Sequence, residues 1–444
     1  MPRAKAKKRS RRSGPREMMR RGATMISAGE ADRGSLWRHG DFLKLWAAQA
    51  VSSFGARITR EGLPYAAVMS LGADPAQLGL LAALTRGPAI IVGLGLGGFV
   101  DRRSRRGVMI GDDIGRAVIL ASVPVAAWSH LLSLGQIYAV AALVGALSVL
   151  FEMADHAYLP TLVAGDQLVD GGSKLAATDA VAEIGGPALY GLLFQLFTAP
   201  VAIAVNAGTY LFSAAALGLI GKREAAPEPR TPVEGGTFIE DFRAGLAVVL
   251  RDPALRTLLL ITTTNALFVS FFAALYIVWA VRSLGLSPAM LGATVAVGGV
   301  SALAGAAITP RLVRTIGLGR AYVLTNLVGT SSTLLIALAG GGPASGMAML
   351  MISQVIGDSV GTVAEIASRT LRQTLVAPEL MGRVGGVFAT APGVTGIIGA
   401  LAGGGLAGVI GLRPTLLVAS LGLMATAAIG LGSPLTRAMA AEET

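Results

Sequence analysis

Apolar stretches near the roughly 20 residues that a bilayer-spanning helix requires recur twelve times along this chain, punctuated by Gly, Pro, Asp, Ser and Arg. They predict helical spans at 42–71, 76–100, 107–131, 135–159, 173–197, 199–221, 254–281, 287–309, 321–340, 345–368, 383–411 and 413–432. The polar intervals are uneven in length. Residues 222–253 form the longest, and its first part, Lys222 to Gly236, is Pro-rich and polar, as expected of a linker between two halves. Within the same interval Phe238, Phe242, Leu246 and Val249 fall at helical spacing against Glu240, Asp241 and Arg243, predicting an amphipathic interfacial helix ahead of span seven. The pattern divides the chain into a basic tail (1–41), a six-helix bundle (42–221), a linker with an amphipathic helix (222–253), a second six-helix bundle (254–432) and a C-terminal tail (433–444).

The two bundles read as copies. A shift of 213 residues lays Glu152, Ala154, Thr161, Leu162, Val163 and Ala164 on Glu365, Ala367, Thr374, Leu375, Val376 and Ala377, and sets Gly186 on Gly399 and Gly191 on Gly404. Parallel repeats of six spans place a substrate path between the halves near the bilayer midplane.

Composition agrees with a membrane protein: 53% of residues are hydrophobic, 14% are charged, and mean hydropathy is +0.64. The net charge of +11 sits in the N-terminal tail and short inter-helix loops, which favours membrane orientation over nucleic acid as a partner. Loops holding Arg102 to Arg106, Lys222 to Arg256, Arg311 to Arg320 and Arg369 to Arg383 share one side, so both termini are expected in the cytoplasm and the protein in the cell's inner membrane. The tail Pro2 to Arg21 reads either as a headgroup-binding arm or as an over-extended start with translation beginning at Met18, Met19 or Met25, and the second is preferred. There is no Cys, no nucleotide-binding Gly-x-x-x-x-Gly-Lys-Ser/Thr loop and no zinc-binding histidine pair among three His, so no cofactor, metal or enzymatic activity is expected.

Ionisable residues inside spans carry the chemistry, because a charge at the helix centre costs about 2.5–3.5 kcal/mol unless it pairs or faces a wet cavity. Arg57, Arg60, Glu61 and Pro64 share one face of span one, with Arg57 the better-placed partner of Glu61 at i,i+4. Arg86 lies midway along span two and calls for a partner in Glu61 or in span four or five. Asp179, Glu183, Gly186 and Tyr190 share a face of span five. Glu183 is the first candidate for a protonatable group, followed by Asp179 and by Asp358 in span ten; a carboxylate tied to a helix-packing arginine is the competing reading of Glu183. Asn265 and Gln354 are expected to line the pathway with Arg57, Arg60, Glu61, Arg86 and Tyr190. Glu152, Asp155 and Glu365 are expected to pair with loop arginines, and Tyr276 and Trp279 to form an interfacial belt.

Gly97, Asp101, Arg102, Arg105 and Arg106 resemble motif A of the major facilitator superfamily, Gly-x-x-x-Asp-Arg-x-x-Arg-Arg between helices 2 and 3. The resemblance implies a gate latch between the halves. Glu183 to Gly191, with Gly186, Pro187 and Gly191, looks like the helix-packing motif C of drug antiporters, although Tyr190 stands where Gly is usual. Phe42, Leu45, Trp46, Gly55, Thr59, Leu63, Pro64 and the Asp113-x-x-Arg116 pair are similar to the enterobactin-exporter-like branch, with Ala56 in place of the branch's Asp and Glu61 at a usually apolar position. The span-four arginine motif often tied to proton coupling is missing from Ala139 to Phe151. What the resemblance implies is the major facilitator fold and a secondary transporter acting as a monomer. Such a transporter exports amphipathic drugs, siderophores or metabolites, with protons as the candidate co-substrate. A lipid or lysophospholipid flippase of the same fold, with Arg57, Arg60 and Arg86 facing a phosphate, is the alternative; a non-transporting sensor or membrane enzyme is the second.

Overall fold

The computed structural model describes residues 36–95, 103–163, 165–222, 224 and 238–436. The basic tail, motif-A residues Gly97, Asp101 and Arg102, and most of the Pro-rich linker lie outside them. Thirteen α-helices follow one another among the described residues: α1 (Gly40–Leu71), α2 (Pro75–Gly95), α3 (Arg105–Trp128), α4 (Leu134–Leu162), α5 (Leu168–Leu196), α6 (Ala199–Gly218), α7 (Phe238–Arg251), α8 (Pro253–Val278), α9 (Pro288–Ile316), α10 (Leu318–Leu338), α11 (Pro343–Leu375), α12 (Met381–Ile410) and α13 (Leu412–Leu431). Short α7 is the amphipathic helix, and the other twelve are the long ones.

The punctuation residues act as expected of helix ends. Asp74 and Gln77 cap α2 reciprocally, Gln77 N–H donating to Asp74 Oδ1 at 2.8 Å and Asp74 N–H to Gln77 Oε1 at 2.9 Å. Asp252 accepts from the amides of Ala254 and Leu255, and Pro253, Pro288 and Pro343 open their helices where no amide donor is needed. Gly72, at φ +66°, ends α1 in the left-handed region.

Nine of the long helices are apolar enough by length and composition alone to cross a membrane among the described residues; α1, α3 and α5 are not. These three carry Arg57, Arg60, Glu61, Asp113, Arg116, Asp179 and Glu183, which pair among themselves. The helices also outrun the expected spans: α5 starts at 168, α9 continues to 316 and α11 to 375. Hydropathy registers only the apolar middle, whereas the hydrogen-bonded ladder runs on past it. Arg311 to Arg320 is accordingly no loop. Arg311 and Arg314 lie on α9, Arg320 lies on α10, and Gly317 at φ +80° is the single residue between them.

Two crossings join the first six helices to the last six, and they are built from the residues that the 213-residue shift superimposes. A Cβ added to Gly191 of α5 would stand 2.7 Å from the Pro288 carbonyl oxygen of α9; one added to Gly404 of α12 would stand 2.6 Å from that of Pro75 of α2. Reciprocally, a Cβ on Gly292 would lie 2.9 Å from Gly191 Cα, and one on Gly79 would lie 3.0 Å from Gly404 Cα. Backbones approach this closely in lipid only through small residues. Pro75, Gly79 and Gly191 map onto Pro288, Gly292 and Gly404 at one offset, which is a pseudo-twofold in the contacts themselves.

Apolar packing is distributed unequally along the bundle. Away from the linker one core mixes both halves, with Tyr65, Tyr190 and Phe194 joining Phe271, Leu275 and Trp279, and Arg282 reaching across to the Val68 carbonyl oxygen at 3.3 Å. At the linker end the buried residues form two separate cores. Phe42, Leu45, Met109, Tyr158 and Leu217 belong to one half, and Leu255, Leu258, Tyr322, Leu371 and Phe388 to the other. The halves are sealed at the far end and parted at the linker end.

The linker end is tied within each half. Arg383 Nε donates to Asp241 Oδ1 at 2.8 Å, docking α7 on α12, while Val249 of α7 is fully buried in the second core. At the mouth of α1, Asp41 accepts from the amides of Gly221 at 3.0 Å and Lys222 at 2.9 Å, and from Lys44 Nζ at 2.9 Å. The Gly221 amide first, then Lys44 and the Lys222 amide, hold this carboxyl down from 3.8 to about 2, against burial, which acts upward. Its contribution to stability is therefore complete above the unfolded value of 3.8 and is lost as pH falls from there through about 2. Asp41→Asn is expected to flatten the fall in melting temperature across that window, measured by thermal unfolding in detergent. An unaltered acid limb would count against this role.

Candidate functional site

Span five was expected to present Asp179, Glu183 and Gly186 on one face, and that face meets α1. Arg57 Nη2 lies 3.1 Å from Asp179 Oδ1 and 2.6 Å from Glu183 Oε2; Arg60 Nη2 lies 2.7 Å from Glu183 Oε1. Gly186 makes the approach possible, since a Cβ there would stand 2.5 Å from that of Arg57. Glu61 pairs with its neighbour Arg60 at 3.3 Å and not with Arg57, which the carboxylates of α5 have already taken. Five charged groups thus form one chain of ion pairs, two cations against three anions. Glu183 is gripped by two guanidinium groups and does not stand free.

Arg86 departs from expectation. Neither Glu61 nor any residue of α4 or α5 reaches it among the described residues; its Nη1 donates across the interface to Ser270 Oγ of α8 at 3.1 Å. Around it lies a cavity of about 460 Å³ bounded by Thr85, Ile90, Ala266, Pro392, Gly393 and Gly396. A second cavity, of about 730 Å³, shares Ala266, Val269 and Pro392 with the first and runs into the second half. It brings together Asn265, Asn326, Gln354 and Asp358, with Asn265 Nδ2 donating to Asn326 Oδ1 at 3.3 Å and Asn265 Oδ1 buried without a partner. The Asp358 carboxylate has no ion pair or hydrogen bond among the described residues. Asn326 was not anticipated, being a single amide among hydroxyl-bearing residues of α10.

Tyr190 is not on the open space. It is 1% exposed and packs on Phe194 and Tyr65, with ring centroids 4.5 and 6.1 Å away, inside the far-end seal. Trp279 likewise is buried and donates from Nε1 to the Ile336 carbonyl at 2.9 Å, so it is no belt residue. Of the carboxylates expected to meet loop arginines, Glu365 does pair with Arg369 at 3.2 Å, although that arginine lies on the extended α11 and not in a loop, whereas Asp155 accepts from Gln49 of α1.

The described part of motif A binds its own half. The Glu224 carboxylate accepts from the amides of Arg105 and Arg106 and from Ser104 Oγ, sitting on the N-terminus of α3, where the helix dipole favours an anion. Arg106 donates to the carbonyls of Leu217 and Gly218 at the end of α6, which the dipole makes a cation site. Deeper in the same half lies the ionic cluster the sequence understated: Asp113 is 0% and Arg116 4% exposed, 2.7 Å apart. The guanidinium stacks 4.4 Å from the ring centroids of both Phe151 and Tyr210. The i,i+3 spacing of Asp113 and Arg116 was the available signal.

A two-half helical bundle with pseudo-twofold crossings and a cavity lined from both halves around Arg86 is a transporter architecture. The family model described as Major Facilitator Superfamily matches residues 45–400. The chain belongs to that superfamily. As one of its members it is a multi-pass membrane transporter and not an enzyme, and it handles small molecules within the membrane. This transporter is 30% identical to the MFS-type transporter YfiS of Bacillus subtilis over 85% of this chain and 89% of that one. It is 25% identical to the multidrug efflux pump Tap of Mycolicibacterium fortuitum over 90% of this chain and 97% of that one. Among solved structures, the nucleoside transporter NupG aligns with a TM-score of 0.71 at 12% identity over 88% of this chain and 98% of that one, a likeness of fold.

Proposed function

We propose that this transporter exports amphipathic small molecules by alternating access, residues 42–221 rocking against 254–432 with the linker end facing the cytoplasm. The observation that carries the reading is the pairing of a mixed apolar seal at the far end with separate cores at the linker end, around a charged and amide-lined interior. That is the arrangement from which an exporter loads its cargo. The similarity to a multidrug efflux pump over nearly the whole of both chains supports the direction. The basic residues grouped at the linker end support the orientation.

For coupling, Asp358 is the carboxylate best placed to exchange a proton, being half-buried beside a cavity with no counter-ion among the described residues. Glu183 and Asp179 are held by Arg57 and Arg60, and we assign them to joining α1 and α5. The same pairing weakens the flippase reading, because two of its three phosphate-facing arginines are already neutralised within the protein.

Inverted membrane vesicles test this. An imposed pH gradient, acid inside, is expected to drive uptake of an amphipathic dye such as rhodamine 123 or fluorescein, and Asp358→Asn is expected to remove the gradient dependence. Vesicles that accumulate neither dye under any gradient would refute export, and gradient-driven uptake by the Asn variant would refute the role of Asp358.

A further inference from the structure

The pseudo-twofold relates two corners of the interface, and their charges do not match. In the first, between α1, α5 and α9, Arg57 is neutralised by Asp179 and Glu183, while α9 of the other half offers Gly299, whose added Cβ would touch Ile184. The second corner lies between α8, α12 and α2, and the 213-residue shift makes Arg86 the counterpart of Gly299. There Ser270 stands for Arg57, Pro392 for Asp179 and Gly396 for Glu183, and Arg86 faces them from α2. The cation is kept, now supplied by the opposite half, and both carboxylates are gone. What replaces them is space, the cavity of about 460 Å³ beside the guanidinium.

We infer that this cavity is an anion-binding subsite, in which Arg86 and Ser270 take a carboxylate, sulfonate or phosphate group of a soluble cargo. A guanidinium at membrane depth needs a counter-charge, and among the described residues the protein provides only the Ser270 hydroxyl. Arg86 is exposed to the cavity, so its remaining N–H groups are available to a planar or tetrahedral oxyanion. Gly393 and Gly396 keep the wall opposite low: a Cβ on Gly396 would lie 3.8 Å from Arg86 Nη1 and 3.2 Å from Ser270 Oγ, so a side chain at this position would enter the space. The subsite rests on the export reading and deepens it by assigning an acidic group to the cargo.

The test is fluorescence anisotropy of fluorescein, an anion, against rhodamine 123, a cation on the same xanthene skeleton, titrated with purified full-length protein in micelles. Fluorescein is expected to bind saturably. Arg86→Gln is expected to weaken it at least ten-fold with rhodamine 123 binding unchanged. Gly396→Glu restores at the second corner the carboxylate that Glu183 provides at the first, and is expected to weaken fluorescein at least ten-fold more than Gly396→Gln, which fills the same space without a charge. Equal losses with Glu and Gln, an unaffected Arg86→Gln protein, or no saturable binding to the unmodified protein would each overturn the subsite. Displacement by benzoate supports soluble cargo, whereas displacement by phosphatidylglycerol alone overturns it in favour of a lipid headgroup. Binding is read without transport, so vesicles that move neither dye would sink the export reading and leave this result standing.

Discussion

Asp113→Asn is expected to destabilise the protein by about 3–5 kcal/mol, the cost of leaving a buried charge without its partner. Arg116 is 4% exposed, wedged between Phe151 and Tyr210, and Asp113 is its ion-pair partner at 2.7 Å. The aromatic faces favour a cation but do not neutralise it. The loss should appear as a large fall in the melting temperature of detergent-purified protein. Combining Asp113→Leu with Arg116→Leu and, because buried Asp112 also faces that guanidinium, Asp112→Asn removes the charges together and is expected to recover most of it, since a buried pair is seldom much better than an apolar core of similar volume. A triple variant as unstable as the single one would show that the loss came from packing and not from an orphaned charge.

The second large effect is expected at the crossings between the halves. Gly292→Val and Gly404→Val should each reduce transport at least ten-fold in vesicles while the protein still inserts and purifies. A Cβ at either position meets backbone, Pro187 O and Gly191 Cα in one case and Pro75 O and Gly79 Cα in the other, and backbone cannot swing aside like a side chain. Overpacking of this kind costs about 1–3 kcal/mol, and each 1.4 kcal/mol is a ten-fold change in an equilibrium. Gly405→Val is the control, with nothing within 4 Å of its added Cβ. Near-normal transport by the Gly404 variant, or equal damage from Gly405, would remove the crossings from the account.

Much of the architecture was legible because lipid makes it so: spanning backbone is either helical or part of a closed barrel, and among the described residues the twelve predicted spans correspond to the twelve long helices, nine of them apolar enough on their own. The 213-residue offset was also legible, and it proved to mark the touching residues themselves, Gly191 against α9 and Gly404 against α2. The partners of charged residues were harder. Helical spacing assigned Glu61 to Arg57, but that rule weighs one helix alone, and the α5 carboxylates were the stronger partners. Arg86 failed for the same reason in reverse, since its partner lies 184 residues away in the other half. Tyr190 shares the face of Asp179 and Glu183, yet it sits two turns nearer the far end, where that face turns from charged interior to aromatic seal. Periodicity reports a face and is silent on depth.

At Gly191 and Gly404 the nearest approach between the halves is peptide group against peptide group, so in the rocking proposed above these two points turn without any side chain of their own to withdraw, while Ile184 and Ile90 pack on Gly299 and Gly393 further along the same helix pairs. Such a contact behaves as a dry pivot, offering little resistance to small rotations. The proposed rocking would then have its largest apolar rearrangements at the ends, where Tyr65, Phe194 and Phe271 would part on one side and two apolar cores would meet on the other.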